Sequence, residues 1–413
     1  INASYAMCKA TGLGNNSLGR VQTPVLAAIS RRYRERENHI SSDSWPIYIS
    51  LQKDGILFKM RRTQDLPDKE SATMFFQDCK LAHQAQITGI SHSVKEILPP
   101  DLLDLTQLQK EANIRYGFTA SEVYDIAQSL YEKKLISYPR TSSRYLTEDV
   151  FDSLPPIMAC LLSWELFPAA KGTGGIDISN LSRHVISAEK ANVHHAIIIT
   201  GIRPGNLSEK EMQVYRLVAG RMLETFMAPC RIETTNVEAV CAAQHFKAEQ
   251  TRIIEAGWHD VFMRYDMIPT SGYSVKELPE VEKGDTLNVC GCNMVHKKEL
   301  PVDPFTDAEL VEYMELNGLG TVSSRTNIIR TLVNRKYIRY SGKYIVPTPK
   351  GMFTYETIRG KKIADTSLTA DWEKQLAGLE SGMITGQDFL NRIRTLAKEM
   401  TDDIFNTYST KEE

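Results

Sequence analysis

Tyr138, Pro139 and Arg140 form the most chemically suggestive triplet in the sequence. A residue before proline is driven into extended backbone because the pyrrolidine ring clashes with a helical neighbour, so the Tyr138 phenol should project at a helix end. A phenol that attacks a phosphodiester loses its proton while negative charge builds on the phosphate oxygens. A guanidinium gripping those oxygens in bidentate fashion is the expected companion, and Arg140 lies two residues on. Taken alone, a tyrosine beside an arginine is far more often plain surface. His194 and His195 are the second candidate. Adjacent histidines point apart on a strand or helix and rarely share a metal, but one can donate to a phosphate. The ordinary alternative is a half-buried histidine opening the strand Ala196 to Ile199.

These residues need elements to hold them. Ile47 to Leu51 and Ile56 to Met60 alternate as strands do, with Asp54-Gly55 as the hairpin turn, and Ile87 to Ile97 reads as a further strand. Leu105 to Leu135 reads as helical. There Thr119 and Glu122 form a capping box ahead of Val123, Ile126, Ala127 and Leu130, and Pro139 is expected to stop the pattern. Ser208 with Glu211 starts another amphipathic helix through Met212, Val214, Leu217, Val218 and Leu223. Strands resume at Arg231 to Val240 and Phe246 to Ile254. Strand-rich segments therefore bracket a helical insert, which predicts a discontinuous β domain carrying an α domain.

A third region opens on the capping box Thr306 and Glu309. After the Asn317-Gly318-Leu319-Gly320 break, a second helix is predicted from about Ser324 to Lys336, with Ile328, Ile329, Leu332 and Val333 inward and its arginines outward. Tyr340-Ser341-Gly342-Lys343 follows as a hairpin tip. Helix, turn, basic helix and hairpin are the parts of a winged helix. Tyr337, Tyr340 and Tyr344 interleave with basic residues, as a base-stacking surface would require, or else they pack beneath the hairpin.

Bulk charge points away from nucleic acid: 49 basic against 51 acidic residues in 413 give a net of -2. The distribution says otherwise. Residues 1–34 contain no Asp or Glu but carry Lys9, Arg20, Arg31, Arg32 and Arg34. Residues 316–351 also lack acids yet hold Arg325, Arg330, Arg335, Lys336, Arg339, Lys343 and Lys350. At the chain's average acid content each stretch should hold about four carboxylates, so both read as phosphate-facing surfaces. The composition excludes disordered and fibrous classes, and no apolar run is long enough for a membrane span. Seven scattered cysteines make no disulfide framework and fit a reducing, cytoplasmic setting; Cys290 and Cys292 lack the second pair a structural zinc site needs.

Ser17-Leu18-Gly19-Arg20-Val21-Gln22-Thr23-Pro24 resembles the S-x-G-R-V-Q-[ST]-P signature of type IA DNA topoisomerases. Asp104 to Asn113 and Gly117 to Ala120 are similar to the segment ahead of that family's tyrosine. Ile136 to Arg140 resembles the tyrosine motif, and His194 to Thr200 the H-x-A-I-x-P-T motif. Gly318-Leu319-Gly320-Thr321 through Arg325, and Leu368-Thr369-Ala370-Asp371-Trp372-Glu373, match later blocks. All occur in the family's order, with wording nearest the topoisomerase III branch.

The resemblance implies a multidomain α+β core in three parts. Residues 1–40 and 266–413 would form a winged-helix-like DNA-binding domain from both chain ends, 41–104 and 201–265 a discontinuous β-rich hinge domain, and 105–200 the helical domain carrying the tyrosine. Tyr138 would attack single-stranded DNA and become joined to the 5' phosphate, with strand passage before religation. Arg140 would stabilise the scissile phosphate and His194 hydrogen-bond within that site. Arg20, Gln22, Thr321, Arg325, Arg330 and Tyr337 are the expected DNA contacts. Location at the nucleoid and a helicase partner are further expectations, with no metal ligand in this chain.

Three departures stand out. Ser142 replaces the family's Asp after Tyr-Pro-Arg-Thr, Ile199 replaces a Pro, and the sequence contains no D-x-D. The family's Toprim domain supplies a glutamate and the D-x-D carboxylates that bind Mg²⁺, so the chain is expected to be a fragment beginning after that domain and inactive alone. The competing class is a non-catalytic winged-helix module for single-stranded DNA. A conjugative relaxase is disfavoured because His194-His195 does not form its histidine-hydrophobe-histidine signature, and a recombinase because its dispersed arginines are not evident.

Overall fold

The computed structural model describes residues 2–11, 16–164, 166–168, 176–191, 193–263, 268 and 270–409. Helices α1 (Asn2–Thr11) and α2 (Gln22–Glu37) come first. Strands β1 (Asp43–Ser44), β2 (Ile47–Lys53) and β3 (Ile56–Arg62) lead through α3 (Lys69–Leu81) to β4 (Gln84–Ile97). Helices α4 (Leu105–Tyr116), α5 (Ala120–Glu132), α6 (Glu148–Asp152), α7 (Leu154–Ser163) and α8 (Glu209–Phe226) follow. Strands β5 (Cys230–Cys241), β6 (Gln244–Glu255), β7 (Thr286–Met294) and β8 (Lys297–Lys298) precede α9 (Asp307–Leu316) and α10 (Val322–Asn334). The hairpin β9 (Ile338–Ser341) and β10 (Tyr344–Pro347) then leads to α11 (Pro349–Ile358), α12 (Thr366–Glu380) and α13 (Gly386–Ser409).

Six strands close a barrel in the order β2-β3-β6-β5-β4-β7. Asp54 and Gly55 take φ of 50° and 82°, the left-handed pair that a tight two-residue hairpin needs, and β2 pairs with β3 across them. Ile47, Ile49 and Leu51 alternate into the barrel with Phe58, Met60, Val237, Ala239 and Phe246. Strand β7 closes the ring by pairing with both β2 and β4. It lies beyond residue 265, where the sequence reading ended the hinge domain. Its alternation is broken by Gly291 and a register shift opposite Ser50 and Leu51, which hid it.

The helical unit also extends further than 105–200. On α8, Val214, Tyr215, Leu217, Val218 and Leu223 share a core with Leu105, Leu108, Val123, Leu130 and Ile197. An amphipathic pattern says that a helix has a buried face but not what covers it. The capping boxes at Thr119, Ser208 and Thr306 all form. Pro139 does not end α5. That helix stops at Glu132, seven residues before Pro139; Lys134 takes φ of 59°, and the Leu135 N–H donates to Leu130 O at 3.0 Å.

Residues from the two ends of the chain share two hydrophobic clusters. Val25, Leu26 and Ile29 of α2 pack with Leu310, Met314, Ile329, Leu332, Tyr337 and Ile345. Ala6, Met7 and Leu18 pack with Ile358, Ile363 and Ile404.

Candidate active site

The tyrosine and histidine motifs are stitched together by backbone. Ile136 and Ile199 form an antiparallel bridge, and the Ser137 N–H donates to Ile198 O at 2.8 Å. Ser137 Oγ accepts from the Ile198 N–H at 3.0 Å and donates to Ala196 O at 3.1 Å. On the far side, Ile197 bridges Leu103. Ile136, Ile197 and Ile199 are all buried, so apolar burial anchors the strand-like pair while the residues just beyond reach the surface. The buried Thr141 ties off the other end: its Oγ1 donates to His194 O at 2.9 Å, and its carbonyl accepts from the Leu105 N–H.

This stitching brings Tyr138 and His194 into ring contact, with centroids 4.5 Å apart and planes at 48°. Tyr138 is half-buried and His194 exposed. On the other side Tyr131 meets Tyr138 edge-on at 5.4 Å. The Arg140 guanidinium lies 5.1 Å from the centre of the Tyr124 ring, and its Nη2 donates to Gln128 Oε1 at 3.3 Å. Its Nε is buried and, among the described residues, has no acceptor. Tyr124, Gln128 and Tyr131 stand at i, i+4 and i+7 on α5, so one helix face supports the whole 138–140 turn. Sequence reading missed these three, although their spacing ahead of Tyr138 was the available signal.

The two substituted motif positions differ in exposure. Ser142 faces solvent. Ile199 is fully buried, and its N–H, which a proline would lack, points to Met222 Sδ at 3.2 Å. Beside the turn, the buried Asp104 caps α4 through the Gln107 N–H and holds Arg144 Nε at 2.7 Å.

The expected DNA contacts divide. Arg20 lies 5.2 Å from the Trp372 ring, and its carbonyl accepts from Thr369 Oγ1 at 2.7 Å, so two distant sequence blocks touch. Gln22 is half-buried, donating through Nε2 to Ser17 O and accepting through Oε1 from Arg335 at 2.9 Å. Thr321 is exposed at the start of α10. The other three are turned to structural work. Tyr337 is fully buried and has no face for a base; its hydroxyl accepts from the Ser17 N–H at 2.7 Å. Arg325, expected outward, is buried and donates to Thr106 Oγ1 at 3.1 Å, with Glu315 at 3.5 Å. Arg330 binds Ser121 Oγ and Asp125 on α5. Both arginines clip α10 to the helical unit, a contact that one-dimensional periodicity cannot show. Tyr340 and Tyr344 likewise donate to Asp307 and Asp303.

Among the described residues no group of three His, Cys, Asp or Glu is placed to hold a metal ion. The neighbours of Tyr138 are an imidazole, a phenol and, two residues along, a guanidinium, a donor set that does not suit Mg²⁺. Among the described residues no helix is long and apolar enough to cross a membrane.

The profile of the DNA topoisomerase family matches residues 1–391, nearly the whole chain. The chain belongs to the type IA DNA topoisomerase family. Among its curated topoisomerase relatives, DNA topoisomerase 3 of Bacillus licheniformis is 30% identical over 94% of the chain and 56% of its own length. DNA topoisomerase 3 of Bacillus subtilis is 30% identical over 95% of the chain and 57% of its own length. DNA topoisomerase 1 of Methanocaldococcus jannaschii is 30% identical over all of this chain and 53% of its own. The chain is thus topoisomerase III-like and spans about half the length of the curated relatives it matches. Full-length topoisomerase I from Thermotoga maritima shares its fold, with a TM-score of 0.71 at 23% identity over 94% of this chain and 63% of that one.

Proposed function

We propose that this chain is the tyrosine-bearing, strand-holding core of a type IA topoisomerase that cuts and rejoins single-stranded DNA. The observation that carries the reading is the joined Tyr138–His194 pair with Arg140 two residues along the chain, its buried Nε without an acceptor among the described residues. Tyr138 Oη bonds to the phosphorus as the bond to the neighbouring 3' oxygen breaks. The phenol gives up its proton, the departing oxygen gains one, and a 5'-phosphotyrosine link is left. A second strand passes through the gap, and religation runs the same steps backward. Arg140 neutralises charge gathering on the phosphate oxygens, and His194 donates to the same group. Arg20, Gln22 and Thr321 hold the strand.

Mg²⁺, when bound, would add electrostatic support to the phosphate, and a Toprim domain is the proposed holder. The site around Tyr138 does not provide for the ion, so this chain alone should bind DNA but relax supercoils poorly or not at all. Covalent capture of a labelled single-stranded oligonucleotide, by this chain joined to a Toprim domain, should vanish in Tyr138→Phe. Capture by both forms alike would remove Tyr138 from the mechanism and leave a non-catalytic winged-helix binding module. Magnesium-dependent relaxation by the chain alone would overturn its incompleteness.

A further inference from the structure

Arg140 makes little use of its hydrogen-bonding capacity. A guanidinium has five N–H donors. Here one donates to Gln128 Oε1 at 3.3 Å, a long contact, and the Nε is buried with no acceptor among the described residues. A buried donor left in this way carries an uncompensated desolvation cost, so something must hold the group in place against it. The face of α5 does so. The Tyr124 ring lies 5.1 Å from the guanidinium carbon, within cation–π range, and Gln128 one turn later supplies the one acceptor found among the described residues. Gln128 is itself fixed from its other end, since its Nε2 donates to Glu132 Oε1 at 2.8 Å. A neutral acceptor and a ring face hold an arginine without cancelling its charge, whereas a carboxylate would compete with an incoming phosphate.

We propose that Gln128 and Tyr124 are positioning residues that hold the Arg140 guanidinium beside Tyr138 before DNA arrives, setting the rate of strand cleavage rather than the affinity for the strand. The inference rests on the reading of Arg140 as the phosphate ligand. Pre-placement matters because a displacement of about 1 Å in a reacting group can cost orders of magnitude in rate. Gln128→Met keeps the length and helix preference of the side chain but removes the acceptor. Tyr124→Leu removes the ring face, and Tyr124→Phe keeps it.

The experiment measures two quantities for each variant, with the chain joined to a Toprim domain: oligonucleotide Kd by fluorescence anisotropy, and the single-turnover rate of covalent capture. Gln128→Met and Tyr124→Leu should each slow capture on the order of tenfold while Kd stays within about twofold. Tyr124→Phe should restore most of the rate lost in Tyr124→Leu. Unchanged capture in Gln128→Met and Tyr124→Leu would overturn the positioning role while leaving Tyr138 as nucleophile. Equal losses in Kd and rate, or a Tyr124→Phe as slow as Tyr124→Leu, would also overturn it. Absence of covalent capture by the parent protein would instead bring down the cleavage reading itself, and this inference with it.

Discussion

Tyr337 shows how residue type and residue role part company. Its setting among Arg335, Lys336 and Arg339 suggests a base-stacking platform, yet its ring is fully buried and its hydroxyl accepts from the Ser17 N–H at 2.7 Å. Sequence gives the neighbours along the chain, whereas stacking depends on what lies above the ring. The same limit hid Arg325, because Thr106 and Glu315 approach it from other elements. Tyr337→Phe should therefore leave the Ser17 N–H without its partner and destabilise the protein by about 1–2 kcal/mol in urea unfolding. Oligonucleotide affinity should stay within about twofold of the parent. A large loss of affinity at unchanged stability would return Tyr337 to the DNA surface. The residues proposed for catalysis are far more legible: motif and chemistry single out Tyr138, Arg140 and His194, and the structure brings Tyr138 and His194 into contact.

At the scale of elements, capping boxes and alternation marked most helices and barrel strands correctly, because both signals are local. Strand β7 and the packing of α8 escaped, since one needs a closing partner and the other a choice between two cores. The junction of α5, α9 and the wing is a third case. Asp307 at the start of α9 is buried there, accepting from the Ala120 N–H and the Tyr340 hydroxyl, each at 3.1 Å. Burial pushes its carboxyl up from the ordinary value of 3.8 to about 6, against the lowering effect of those two hydrogen bonds. A folded value above the unfolded one means that the neutral acid favours folding. That contribution is fully present below about pH 4 and is lost as pH rises through about 6. Asp307→Asn keeps an oxygen for both donors and cannot ionise. The variant should exceed the parent in stability by on the order of 2–3 kcal/mol at pH 8, and the two should converge near pH 4, as read by urea midpoints. A variant less stable than the parent at pH 8 would mean that the ionised carboxylate is the favoured form.

Across the whole molecule, the net charge of -2 conceals two acid-free stretches that the fold brings together. Arg335 joins them, donating through Nη1 to Ser17 Oγ at 2.5 Å and Gln22 Oε1 at 2.9 Å. Not every cation in these stretches is available to phosphate. Arg32 is paired with Glu309 at 3.1 Å and Arg34 with Glu356 at 3.1 Å, carboxylates that the linear windows left out. Arg335 is exposed and rests on uncharged partners, so its charge is not cancelled locally. Salt dependence separates the two kinds, because each phosphate neutralised by a cation releases counterions and adds roughly 0.7 to the log–log slope for a single strand. Arg335→Gln should weaken oligonucleotide binding and reduce that slope by about one contact's worth. Arg32→Gln should leave the slope unchanged, since its charge is already matched by Glu309. Equal slope losses would mean that the Arg32–Glu309 pair opens for DNA. No loss from Arg335→Gln would place the strand away from the seam between the chain ends, with Arg20 and Gln22 then serving the fold.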